Sequence, residues 1–382
     1  MRVEREIAGF ALPFAAGVLI TAYAEKSFCT DSQAVSYIAL TAAVIVLPFL
    51  HFRERIGCRG RWRDFAIWLS IGLVAFGLGA LSAATGISLS LDWPLSQHEF
   101  LAGRFGNGLQ QTIDAMPFQD QDTGALIKAL LTGNRDSLSP DVTESFRVSG
   151  ASHILALSGL HLGIIYLLFL KLLGILGNSI WARRCRSCLL ILLCGFYTSA
   201  TGAGASIVRA FLFILLSEAG KLSGRHTSLV QILFAALLLQ LIVSPLSILS
   251  VSFQLSYAAM VGIAFVFPWL KGFWPEENNE KKCVSFGEKL IRKPARWIWN
   301  SAAMSISCQL TAGPLAYIYF GSAPKHFLLT NLLALPLAGI LIPSAALTAF
   351  LSAIGCCPSI MTQAVEAIAG LLTWALEIIA TM

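Results

Sequence analysis

Leu328-Leu-Thr-Asn-Leu-Leu-Ala-Leu-Pro-Leu-Ala-Gly-Ile-Leu-Ile-Pro-Ser-Ala-Ala-Leu-Thr-Ala-Phe-Leu351 contains no ionisable side chain. A helix needs about 20 consecutive apolar residues to cross the ~30 Å of hydrocarbon in a bilayer. This stretch is long enough, and blocks at 7–24 and 65–81 repeat the pattern. Across all 382 residues, 56% are apolar and only 13% charged, with a mean hydropathy of +0.72. A water-soluble domain of this length cannot bury so much apolar surface. A transmembrane β-barrel would show short alternating segments instead of continuous runs. The composition therefore excludes a soluble enzyme as the main reading and predicts an all-α fold, a polytopic transmembrane helical bundle.

About eleven spans are predicted, at 7–24, 34–50, 64–86, 151–177, 187–203, 204–220, 226–243, 251–270, 298–320, 327–351 and 358–381. Between them, the basic residues concentrate in segments 51–63, 181–187, 221–225 and 271–297. All four read as loops on one side, which the positive-inside rule makes cytoplasmic. The longest polar stretch, 87–149, has eight acids against four bases (Arg104, Lys128, Arg135, Arg147) and falls on the other side. An odd span count puts the N-terminus in the cytoplasm and the C-terminus outside. The net charge of +6 is thereby explained by loop bias, not by a nucleic-acid footprint. Nine cysteines show no paired framework, and most read as small hydrophobes. The apolar N-terminal run lacks a small-x-small cleavage site and is expected to stay as the first helix.

Within 87–149, the apolar residues of 100–115 share a helical face, as expected for an amphipathic helix along the membrane surface. A second short helix is expected at 123–131. Ser139-Pro140 opens a third, with Ser139 as N-cap and Pro140 at the first helical position. The predicted organisation is 1–86 as an N-terminal membrane region of three spans, 87–149 as an extracytoplasmic segment, and 150–382 as a membrane domain, which the resemblance given below makes a competence-type channel domain.

In a bilayer, the polar residues tolerated at depth carry the functional information. Gly150-Ala-Ser-His-Ile-Leu-Ala-Leu-Ser-Gly-Leu-His-Leu-Gly163 sets His153, Ser158, Gly159 and His161 within one apolar stretch. Either Ser158-Gly159 breaks the helix beside a polar path, or the glycines serve close helix packing with bonded histidines. Thr198-Ser-Ala-Thr-Gly-Ala-Gly-Ala-Ser-Ile-Val-Arg209 places Arg209 well inside an apolar segment, either to meet an anion or to pair with a carboxylate on another helix. Ser250-Val-Ser-Phe-Gln-Leu-Ser-Tyr257 puts Gln254, Ser256 and Tyr257 at a span entrance. Cys308-Gln-Leu-Thr-Ala-Gly-Pro314 sets Gln309 beside a proline, and Asn331 precedes Pro336 in the same way. Each of these is either interhelical glue or the lining of a polar path. No phosphate loop, no His-x-His-x-Asp-His run and no Glu beside a paired histidine is present. No catalytic residue, metal site or cofactor is expected, and Cys185-Arg-Ser-Cys188 reads as a chance spacing.

In this order the four clusters resemble the ComEC family of competence proteins, inner-membrane channels for DNA uptake. The resemblance rests on 150–163, on Gly204-Ala-Ser-Ile-Val-Arg-Ala210, on Ser252-Phe-Gln-Leu-Ser-Tyr257, and on Gly313-Pro-Leu with Asn331 and Pro336. It implies passage of single-stranded DNA across the bacterial cytoplasmic membrane. Arg209 would then meet phosphates. His153, His161 and the Ser158-Gly159 break would shape the constriction, and Gln254, Tyr257, Gln309 and Asn331 would line it. It also implies soluble partners: a DNA receptor, a nuclease and a cytoplasmic translocase. Full-length relatives carry an OB-like domain and many carry a metallo-β-lactamase-like domain. Segment 87–149 is too short and too helical for the first, and the sequence ends at Met382 without the second, so a short form is expected. The other readings are a secondary transporter of a small solute, with the broken helices as its midplane site, and a non-conducting scaffold for uptake proteins.

Overall fold

The computed structural model describes residues 2–28, 61–84, 101–274, 286–321 and 325–382. They form helices and the turns between them. The helices are α1 (Arg2–Phe28), α2 (Arg61–Ala84), α3 (Leu101–Asp114), α4 (Gln121–Thr132), α5 (Pro140–Val148), α6 (Ser152–Leu155) and α7 (Gly159–Leu172). They continue as α8 (Ile180–Ala200), α9 (Ala205–Leu222), α10 (Leu229–Val243), α11 (Val251–Val261), α12 (Phe267–Lys271), α13 (Phe286–Phe320), α14 (Phe327–Ala353) and α15 (Ser359–Thr381).

Five segments are long and apolar enough to cross a membrane: Val3–Tyr23, Gly159–Leu176, Val251–Lys271, Phe327–Ala353 and Ser359–Thr381. Ile71–Ala83 and Leu229–Val243 are shorter apolar helices. These helices keep large side chains such as Phe350, Ile360 and Trp374 on the outside. So much exposed apolar surface is unfavourable in water and ordinary against acyl chains. The protein is a multi-pass membrane protein with an all-α fold.

The expected span at 34–50 lies outside the described residues. Two expected loops are corrected. Segment 181–187 is the first part of α8, and the part of 271–297 from Phe286 onward is the first part of α13. The charges are real, but the helices run on past the apolar core. Their basic side chains can reach the headgroup layer along aliphatic stems. At the start of α8, Arg184 sits over the Trp181 ring, 5.8 Å from its centroid.

The chain packs as two units, residues 1–94 with 212–254, and residues 95–211 with 255–382. In the first unit, α1 lies along α2 and also packs on α10. Its close approach to α2 depends on two glycines facing each other's backbone. A Cβ on Gly17 would collide with the Phe76 carbonyl, and one on Gly79 with the Phe14 carbonyl. Buried Ala11, Val18, Ala75, Ala80 and Ala83 fill the seam. Small residues at such a crossing let backbones approach where no hydrophobic driving force separates protein from lipid. In α9, buried Glu218 takes the Lys221 ammonium at 2.6 Å.

In the second unit, the three short helices anticipated between 100 and 148 are present as α3, α4 and α5. Ser139 caps α5 through the Val142 N–H, with Pro140 in the first turn. The Asp120 carboxylate accepts the Asp122 and Thr123 N–H groups to start α4. Left-handed Gly133 ends it. Leu126, Ile127, Leu130, Leu131, Phe146 and Ile154 are almost fully buried. They form a small core that α14 and α15 cover from their own sides. The Tyr197 hydroxyl of α8 donates to the Leu131 carbonyl at 2.9 Å, tying a long helix to this core.

Candidate site at the broken helix

The apolar run at 151–177 is interrupted where its polar residues fall. Gly150 is left-handed, α6 lasts one turn, and Ala156 and Ser158 are extended before α7 begins at Gly159. A break of this kind frees backbone groups, which membrane proteins tolerate only inside protein or beside water. The histidines take different roles. His153 is exposed, and its Nδ1 lies 3.1 Å from the Gly150 carbonyl; since a carbonyl only accepts, this nitrogen is the donor. His161 is completely buried. Its Nδ1 accepts the Ser158 N–H at 3.3 Å and lies 3.1 Å from the Ser158 hydroxyl. The proton therefore sits on Nε2, a buried donor that has no hydrogen-bond partner among the described residues.

Gly159 gives the broken helix a close neighbour. A Cβ there would stand 3.2 Å from the Cβ of Ala210, the residue after Arg209. The preceding turn has two left-handed residues in succession, Gly202 and Ala203, and bonds from Gly202 N–H to Ser199 and from Ala203 N–H to Thr198. It starts α9 so that Arg209 falls in the second turn. Arg209 is 2% exposed, and its guanidinium lies within electrostatic reach of the buried Tyr257 phenol. The break packs on α9 through Gly159 and Ala210, and the Arg209 charge on α9 acts on Tyr257 of α11.

The other expected lining residues behave less uniformly. Gln254 donates to the Ile248 carbonyl at 2.9 Å, bracing the turn that leads into α11. Ser256 is half-buried on that helix. Gln309 folds along its own helix against Gly313. The α13 helix runs unbroken through Pro314, and α14 through Pro336. Asn331 keeps a buried carbonyl oxygen with no hydrogen-bond donor among the described residues. Its neighbour Thr330 donates to the Ser149 carbonyl at 2.7 Å, which draws α14 to the start of the broken segment.

Several contributors went unnoticed in the sequence. Thr330 looked like any hydroxyl in an apolar run. Gly262 opens a π-turn, Gly262–Val266, just after Tyr257; a Cβ on it would stand 2.5 Å from the Ser307 carbonyl and the Thr311 hydroxyl. That contact joins α11 to α13, and π-turns commonly mark functional positions. Arg135 was counted only as one base among four. It lies in the turn after α4, and both it and His153 act electrostatically on His161.

The fold and the site define a helical membrane protein that holds a broken helix, a buried guanidinium and buried polar side chains within its apolar bundle. Residues 130–382 match the family profile described as "Competence protein", and the chain belongs to that family. It is similar to "ComE operon protein 3" of Bacillus subtilis, 30% identical over 36% of this chain and 17% of that protein. It is also similar to "Uncharacterized protein YcaI" of Escherichia coli, 25% identical over 64% of this chain and 33% of that protein. The chain thus spans at most a third of the length of these relatives. No solved structure gives a significant match.

Proposed function

We propose that this chain takes part in DNA uptake during natural transformation, as a non-catalytic permease passing single-stranded DNA through 150–382. The observation that carries the reading is Arg209, held at 2% exposure within electrostatic reach of Tyr257 and beside the broken helix through Ala210 and Gly159. A guanidinium at depth costs several kcal/mol unless something compensates it. A passing phosphate is a ligand that a fork of N–H donors suits better than a point charge. A single strand also needs surfaces indifferent to sequence, and an aromatic ring such as that of Tyr257 would serve if the path opens beside it. Membership of the competence protein family supports the same role. The N-terminus is cytoplasmic in this reading, and the segment before residue 150 faces outward. A soluble DNA receptor, a nuclease and a cytoplasmic translocase would act alongside.

A strain lacking this chain, given fluorescent duplex DNA, is expected to bind it but to accumulate it outside the cytoplasmic membrane, with transformants at background. Normal transformant numbers in that strain overturn the reading. DNA entry with loss of uptake of one small solute favours the transporter alternative.

A further inference from the structure

We propose that the N-terminal turn of α7, with Arg135, His153 and His161, forms a phosphate-binding site at the outward mouth of the DNA path. The inference rests on the DNA-passage reading above and names where the strand's backbone is first held.

Three observations converge on this place. First, α7 is a 14-residue helix whose axis starts at the break. The His161 N–H already bonds the Ser158 carbonyl at 3.1 Å, while the Gly159 and Leu160 N–H groups have no carbonyl within the helix to bond, and the helix dipole favours an anion there. Second, His161 folds its ring back over this turn, because its Nδ1 takes the Ser158 N–H. The Nε2–H that remains is fully buried and meets no acceptor among the described residues. A buried donor without an acceptor costs about 1–3 kcal/mol, and an anionic oxygen removes that cost. Third, the chain brings a cation here from another element. Left-handed Gly133 seats the turn after α4 directly on Leu157, one residue before the cap. That turn is braced by Asn134, whose side chain accepts the Asp136 N–H, and by Leu138 N–H to the Arg135 carbonyl.

Arg135 is exposed and makes no side-chain ion pair or hydrogen bond among the described residues. It and His153 are the charged or titratable neighbours that act on the His161 ring. A helix N-terminus, a buried N–H donor and the Arg135 cation together favour a phosphodiester oxygen over a neutral ligand. Sequence position alone gives no hint of this, since Arg135 and His161 belong to different elements.

The test uses the full chain in lipid nanodiscs of zwitterionic lipid and a short fluorescent oligothymidylate as probe. Arg135→Ala is expected to weaken binding about tenfold, and to lower the slope of log affinity against log salt by about 0.7, the value for one single-strand phosphate contact. Arg135→Lys keeps the charge and is expected to keep the slope. Wild-type affinity and slope in Arg135→Ala overturn this inference while leaving the DNA reading intact. Absence of oligomer binding by the wild-type chain overturns both. Displacement of the oligomer by inorganic phosphate at equal phosphate concentration marks a free anion as the occupant and overturns the strand assignment.

Discussion

Arg209→Ala is expected to lower transformation by at least about a hundredfold while leaving as much protein in the membrane as before. The two halves of this result decide between the two roles a buried guanidinium can have. If Arg209 serves only to pair with another group in the bundle, its removal leaves that partner buried and uncompensated. Breaking such a pair costs about 3–5 kcal/mol, enough to empty the membrane of folded protein. If Arg209, held at 2% exposure, serves a passing anion, the fold does not depend on what it meets at rest, and alanine is tolerated. Charged residues at the centre of a span cost about 2.5–3.5 kcal/mol on insertion scales, so the variant inserts at least as well. Arg209→Lys is expected to fall between the two, with a cation retained and the bidentate fork lost. Immunoblots of membrane fractions, read beside transformant counts, separate the outcomes. Loss of the protein together with loss of uptake favours a structural pair, and unchanged uptake removes Arg209 from the path altogether.

The second large effect belongs to the first packing unit. Gly17→Val is expected to separate α1 from α2, because its Cβ would collide with the Phe76 carbonyl, a backbone atom that cannot swing aside. Overpacking a well-filled core typically costs about 1–3 kcal/mol, occasionally more. This seam belongs at the upper end, since Gly79 makes the reciprocal approach to the Phe14 carbonyl and must shift with it. A drop in the melting temperature of detergent-purified protein checks the expectation. A neighbouring change on the exposed face, Leu12→Val, is expected to leave it unmoved. Equal melting of Gly17→Val and the parent would mean that the two helices do not depend on their glycine contacts.

The apolar blocks made the class of fold legible, because a bilayer fixes span length and forbids charge within it. The helix break was legible as one of two readings: two serines, two histidines and three glycines in 150–163 suit either a break beside a polar path or close helix packing. The beginnings of α8 and α13 were not. Clustered arginines and lysines mark where the chain meets the headgroups, and that is a statement about environment, not about backbone conformation. Helices continue through it.

The site divides in the same way. Arg209 and Tyr257 were visible singly as polar residues in greasy surroundings, but not as neighbours. Gln254 and Gln309 looked equivalent to them, yet each turns toward a local partner, an upstream carbonyl or its own helix. The amides of these two residues reach a neighbour on the same stretch of chain, whereas that of Asn331 leaves its oxygen without a donor among the described residues. Gly159 was legible as a break or a packing glycine but its neighbour Ala210 was not, and the contacts at Gly262 and Gly133 carry no signal in one sequence, because a glycine reveals its neighbour only when the fold is assembled.

The wetted path is tested most directly by cysteine accessibility. Single cysteines at positions 158, 257 and 331, in a chain whose nine native cysteines are replaced, would be exposed in intact cells to a charged, membrane-impermeant thiol reagent. Positions 350 and 374, whose side chains face outward, serve as lipid-facing controls. Reaction at 158, 257 and 331, slowed when transforming DNA is present, with the controls inert, is the expected result. Site positions as unreactive as 350 and 374 would contradict a water-filled passage along the broken helix.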